Sequence, residues 1–143
     1  IITLAKSLGS GVPVGACLVN DGVSKHIKTN DLGTTFGGGM LAMSAVAATI
    51  EAIENDRMIE NIVRIEKILR ESLRENKKVR SVRGKGGLFG TEFTKSCKTI
   101  HGKLLESHII TGTSSDATVL RLLPPLNVKQ DEIELFINKL IEI

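Results

Sequence analysis

Apolar residues follow two different patterns along the chain, and the change falls at Asn55. Ile1 to Lys6 reads as a short strand or its exit. Gly9, Gly11 and Gly15, with Pro13, predict a turn-rich loop, and Val14 to Val19 (VGACLV) predicts a small, apolar, buried strand. Asn20-Asp21-Gly22 is a turn signal. A polar connection runs to Asp31, and a second glycine-rich loop, LGTTFGGGM, follows. Leu41 to Glu54 is alanine-rich and apolar on nearly every face, which predicts a helix buried between layers. Asn55-Asp56 breaks it, with Asp56 the expected N-cap of the next helix.

Beyond Asn55 the apolar positions become one-sided. Met58, Ile62, Ile65, Leu69 and Leu73 recur every three or four residues, the stripe of an amphipathic helix. Val79 to Arg83 reads as a strand. Gly84, Gly86 and Gly87 turn the chain, and Leu88 to Phe93 reads as the hairpin partner. Lys98 to Ser107 predicts a short helix. Ile109 to Thr111 and Val119 to Leu122 predict strands separated by the polar loop GTSSDAT, with Pro124-Pro125 ending the second. Asp131 to Ile141 carries Ile133, Phe136, Ile137, Leu140 and Ile141 at helical spacing. The expectation is therefore two parts, residues 1–55 and 56–143, the second a small α+β layer structure.

Composition narrows the class. A 41 % hydrophobic share over 143 residues fits a folded domain or a piece of one. No run approaches the ~20 apolar residues of a membrane span, and no basic-then-apolar leader is present. The chain opens on Ile1 in what reads as mid-element, the pattern expected of a piece of a longer protein. Cys17 and Cys97 lack metal-ligand spacing and read as free thiols in a reducing cytosol. His26, His101 and His108 share no i, i+4 spacing, so no metal site is expected. The net charge is +3, with basic residues gathered between Lys67 and Lys85. Glu66–Arg70 spacing there suits an i, i+4 pair on a solvated helix face. The other reading of this run is a small basic module for nucleic acid, which four phenylalanines and no Trp or Tyr support poorly.

The glycine loops are not nucleotide loops. GKGGLFG (Gly84 to Gly90) has Phe89 where the third glycine of a dinucleotide fingerprint belongs, and it joins two strands. Lys6 precedes its glycines, unlike a phosphate-loop lysine. Two readings of Lys6 remain. It is either an exposed lysine at a strand end, or one held in a dry, glycine-walled pocket. There, desolvation disfavours the ammonium form and frees the amine to condense with an aldehyde.

IITLAKSLGSGVPVGA resembles the cofactor-lysine signature of the class III aminotransferases, which use pyridoxal phosphate (PLP). Ile1, Ile2, Ala5, Lys6, Ser10 and Gly11 fit the pattern. GTTFGGGMLA (Gly33 to Ala42) is similar to the family's GTTFGGNPLA. LRLLPPL (Leu120 to Leu126) is similar to its strand with a substrate-facing arginine. The departures are Gly39-Met40 in place of Asn-Pro and NDLG where a histidine often precedes GTTF. RLLPPL and TGTSSDATVLR are most similar to the acetylornithine branch. That branch moves the side-chain amine of N-acetylornithine, in some members also of succinyl-diaminopimelate, to 2-oxoglutarate in arginine biosynthesis. Ornithine, 4-aminobutyrate or aminomutase chemistry is the alternative within the family.

The resemblance implies an α/β chain: the C-terminal part of a fold type I PLP-dependent transferase. Residues 1–55 would be the end of the PLP-binding large domain, and residues 56–143 the small C-terminal α+β domain. It implies that Lys6 is the catalytic, cofactor-bearing lysine. Thr35 would bind the cofactor phosphate, reaching across to the other subunit of a cytoplasmic homodimer with interfacial active sites. Thr34 would contact substrate, and Gly37, Gly38 and Gly39 would lie at the dimer interface. From the residues alone, both threonines could instead cap the following helix, and Arg121 could pair with Asp116 or Glu92. By resemblance, Arg121 binds a substrate carboxylate or a glutamate. The family's pyridine-nitrogen aspartate, ring-stacking aromatic and α-carboxylate arginine would precede Ile1, which implies that these residues alone are inactive.

Overall fold

Every buried apolar side chain lies after Asn55. The structure, a computed structural model, describes all residues from Ile1 to Ile143 and divides into two units, Ile1–Asn55 and Asp56–Ile143.

In the first unit, β1 (Ile2–Leu4) and β2 (Ala16–Leu18) form an antiparallel ribbon, with Ile2 opposite Leu18 and Leu4 opposite Ala16. The second strand is exposed along its length rather than buried as its apolar sequence predicts. A two-stranded ribbon has no second layer to cover it. A 3-10 turn, Lys6–Gly9, leaves β1. The Asn20 turn signal becomes one turn of helix, α1 (Asp21–Ser24), capped by the Asn20 side chain accepting from the Val23 N–H at 3.0 Å. Helix α2 (Met40–Asn55) packs against the Lys6–Gly9 turn. It contains no buried residue, which corrects the expectation of a helix buried between layers. Met40 is 88 % and Leu41 75 % exposed. Its all-round apolar sequence is real, but no layer of this unit covers most of it.

The second unit has the core the first lacks. Helix α3 (Met58–Glu75) buries Ile62, Ile65, Leu69 and Leu73, four members of the predicted stripe. Full burial of such a side chain is worth about 1.5–3 kcal/mol. The helix starts without a side-chain cap, on Arg57 in the left-handed region (φ 50°), so Asp56 is not the cap. Strands β3 (Val79–Lys85) and β4 (Leu88–Phe93) form the expected hairpin. Helix α4 (Lys98–Glu106), β5 (Gly112–Thr113), β6 (Val119–Leu122) and α5 (Gln130–Glu142) complete an antiparallel sheet of order β3-β4-β6-β5 with three longer helices.

The fifth strand is not where Ile109–Thr111 predicts it. Ile110 is 87 % exposed, and Thr111 Oγ1 shares a 2.8 Å hydrogen bond with His101 Nδ1 of α4. Pairing starts only at Gly112, opposite Arg121. One cluster joins the α3 stripe to Phe89, Phe93, Leu104, Leu120, Leu122, Ile133, Phe136 and Leu140. The opposite face of the sheet stays open, because β4 alternates: Phe89, Thr91 and Phe93 are buried, while Gly90 and Glu92 are only partly so.

Two polar devices fix the unit. Asn61 donates from Nδ2 to Leu126 O at 2.8 Å and Val128 O at 2.9 Å, tying α3 to the segment after β6. Glu66 and Arg70 clamp the β3–β4 turn. The Glu66 carboxylate accepts from the Gly86 N–H at 2.7 Å and from Arg70 Nη2 at 2.9 Å. Arg70 also donates to Val82 O and Gly84 O and lies 5.6 Å from the Phe89 ring centre, within cation–π range. Gly84 makes this turn possible. Its φ is 122°, and a Cβ there would overlap the Leu88 carbonyl.

Candidate active site

Lys6 stands where β1 gives way to the 3-10 turn, with a left-handed φ of 57°. A non-glycine residue rarely adopts that region unless its surroundings impose it. Ala5 before it is extended, and Ser10 after the turn is left-handed (φ 47°). Gly9 is the one buried residue of the turn. A Cβ on it would lie 2.6 Å from Val14 Cγ1, so the glycine lets the turn close on the loop that leads into β2. Lys6 itself is exposed in this unit. The glycines shape its turn and do not wall off a dry pocket, which corrects that part of the sequence expectation.

Thr34 and Thr35 lie in the second glycine loop, both exposed. The Thr34 carbonyl accepts from the Gly37 N–H at 3.3 Å, and the Phe36 carbonyl from the Gly39 N–H at 3.4 Å. Gly38 has a left-handed φ of 71°. Neither threonine hydroxyl is used in a cap, since α2 begins at Met40 with its first bond from the Met43 N–H to Gly39 O. The N–H groups of Thr35, Phe36 and Gly38 donate to no acceptor in the chain. Two free hydroxyls with unpaired N–H groups in a glycine-rich turn form a donor set suited to a phosphate. A primary amine at the end of β1 suits an aldehyde. The residues present therefore fit a phosphorylated aldehyde cofactor.

Arg121 belongs to the second unit. It is exposed on β6, between buried Leu120 and Leu122. Neither expected acid is its partner. Glu92 accepts from Arg80 at 3.3 Å and from Ser81 at 2.8 Å, and Asp116 is engaged by Thr118. Because the guanidinium is exposed, no buried charge has to be neutralised. Two groups lie outside the candidate chemistry. Cys97 is buried, and burial pushes its thiol up, away from the nucleophilic form. Arg70, counted in the basic run, turns into its clamp. The sequence signals the Glu66–Arg70 pair by spacing but not its grip on Gly86, which joins residues 20 apart.

Comparison with known proteins agrees with this chemistry. The model of the class III aminotransferase family matches residues 1–143, and the chain belongs to that family, whose members depend on PLP. It is 40 % identical to the acetylornithine aminotransferase of Methanocaldococcus jannaschii, covering all of this chain and 37 % of that protein. It is 35 % identical to the acetylornithine aminotransferase of Archaeoglobus fulgidus, covering 94 % of this chain and 35 % of that protein. Among solved structures, an ornithine aminotransferase from Plasmodium yoelii superimposes with a TM-score of 0.85 at 31 % identity, over 98 % of this chain and 39 % of its own. The chain thus spans little more than a third of the length of the curated relatives it matches. No helix is long and apolar enough to cross a membrane.

Proposed function

We propose that this chain is the C-terminal part of a PLP-dependent transaminase, residues 1–55 closing its large domain and residues 56–143 forming its small one. The observation that carries the reading is Lys6, held at a strand exit in left-handed backbone inside a family match that runs the whole chain. Its donor is N-acetylornithine and its acceptor 2-oxoglutarate, as in arginine biosynthesis, in a cytoplasmic homodimer. The names of the two relatives above support the donor.

PLP, when bound, supplies the aldehyde that receives the amine and an electron-withdrawing ring. The residues of this chain hold and serve it. Lys6 Nζ anchors the cofactor. Its amine would also serve as the base that takes the proton from the donor's amine-bearing carbon and hands it on. The short 3-10 turn keeps that amine on a fixed tether. The Thr35 hydroxyl and the free N–H groups of its loop would hold the phosphate. Thr34 contacts substrate. The planar fork of Arg121 binds a carboxylate, either of the substrate or of a glutamate side chain.

The test is Lys6→Ala in the full-length enzyme. Amine transfer should fall by at least ~1000-fold, since one group both anchors the cofactor and moves the proton. Borohydride treatment of the unsubstituted enzyme should add the pyridoxyl mass to the Lys6 peptide. Undiminished turnover by the alanine variant would refute the reading. The structural likeness to an ornithine aminotransferase favours ornithine as the second candidate donor, and a panel of amine donors separates the two.

A further inference from the structure

The outer edge of β3 is the one long free edge of the four-stranded sheet, since β3 ends the strand order and the strand at the other end, β5, has two residues. A free edge carries unpaired N–H and C=O groups that can recruit a strand from another chain. Which groups face outward follows from the hairpin. Lys85 and Leu88 flank the two-residue loop Gly86-Gly87 and lie opposite each other, so they form the bonded pair that closes the turn. Alternation then points the backbone groups of Arg83 at β4 and those of Val82 and Gly84 away from it.

Both outward carbonyls are taken. Arg70 donates from Nη1 to Val82 O at 3.3 Å and from Nη2 to Gly84 O. The guanidinium reaches this edge from α3 and is fixed there on two other sides. Glu66 Oε1 accepts from Nε at 3.0 Å and from Nη2 at 2.9 Å, and the Phe89 ring centre lies 5.6 Å away. Bracing the turn does not account for this hold. Glu66 already takes the Gly86 N–H directly, and Val82 lies inside the strand, short of the turn.

An incoming strand needs a donor and an acceptor from each outward residue. Here it would meet two occupied acceptors and a guanidinium in its path. Charge defends the same edge independently. From Lys77 to Lys85 the chain carries five cations and no acid. A second copy pairing here would lay the same cations alongside, and like charges facing across strands repel. Salt screens that repulsion but leaves Arg70 on its carbonyls.

We propose that Arg70 is a strap across the outer edge of β3 that closes this strand to pairing with a second copy of the chain. The inference stands apart from the transaminase reading and involves none of its residues.

Sedimentation velocity and amide hydrogen exchange on the 143-residue chain test it. In about 1 M sodium chloride charges are screened within about 3 Å. There, Arg70→Met should self-associate as protein concentration rises, and exchange at the Val82 and Gly84 N–H groups should slow about tenfold on association. The unsubstituted chain should show no concentration-dependent slowing at these two amides. At about 0.01 M salt, where screening extends only beyond about 30 Å, the methionine variant should associate less. Arg70→Lys, which keeps the charge and loses the fork, should fall between the two and serves if the methionine variant does not fold. A folded variant whose Val82 and Gly84 amides exchange as in the unsubstituted chain at every concentration overturns the proposal. Association that leaves those two amides unprotected overturns it too, because Arg70 would then be a brace for α3 and the hairpin and nothing more.

Discussion

The two units use similar amounts of apolar sequence to opposite effect. After Asn55, apolar residues fall at spacings that bring them to one side of a helix or strand, and they meet: Leu69, Phe89, Leu104 and Leu120 are each 1 % exposed or less. Before Asn55, apolar residues are more frequent but have no opposing layer in their unit, and Leu41, Met40 and Phe36 stand at 75–88 % exposure. Hydrophobic content alone does not make a core. Periodicity that aims the residues at a partner does. On the proposal above, the missing partner of the first unit is the rest of a large domain.

The sharpest way to break this contrast is a matched pair of truncations. Leu69→Ala should cost the chain about 2–5 kcal/mol, as expected of a leucine removed from a packed core. Leu41→Ala should cost less than about 0.5 kcal/mol. Urea denaturation of the 143-residue chain followed by circular dichroism measures both. Equal effects would mean that the first unit has a core of its own. Next in size is Gly84→Ala. The left-handed backbone alone should cost about 1–3 kcal/mol, with the overlap on the Leu88 carbonyl added, and the same denaturation series reads it. Gly38→Ala, at φ 71° near the left-handed region that L-residues can visit and with no atom within 4 Å of the new Cβ, should cost less.

The smallest effect is a pH dependence confined to the second unit. The Gly86 N–H, and after it Arg70, holds the Glu66 carboxyl below its ordinary value of 4.5. A carboxylate with a lowered folded-state pKa adds stability that is fully present above its unfolded pKa. That stability is lost as pH falls through the folded value. The clamp should therefore loosen as pH drops below about 4.5, and Glu66→Gln should flatten that part of the stability profile. A melting series between pH 6 and pH 3 checks it, and an unchanged slope in the glutamine variant would show that the clamp adds nothing.

What could be read in advance follows the same division. Strand β6 (Val119–Leu122) and the α3 stripe were legible because their periodicity and their stop signals, Pro124-Pro125 among them, are local. The burial of α2 and β2 was misread, since an apolar sequence does not say whether its neighbour belongs to the same chain. The fifth strand was misplaced because Ile109–Thr111 has strand propensity, yet His101 takes the Thr111 hydroxyl and pairing begins at Gly112. Lys6, Thr34, Thr35 and Arg121 can be located from sequence motifs alone, and the chemistry given to them is the proposal above. The hold of Arg70 on the outer edge of β3 cannot, because it exists only once the hairpin is set in register beside α3.

The backbone of Lys6 has one more consequence. A Cβ is a burden at φ 57°, costing about 1–2 kcal/mol in an L-residue, and glycine would sit there at ease. The position has been settled against local comfort. A chain selected only for robustness would drift away from lysine here, so thermostabilising searches that favour relaxed torsions would erase the amine first.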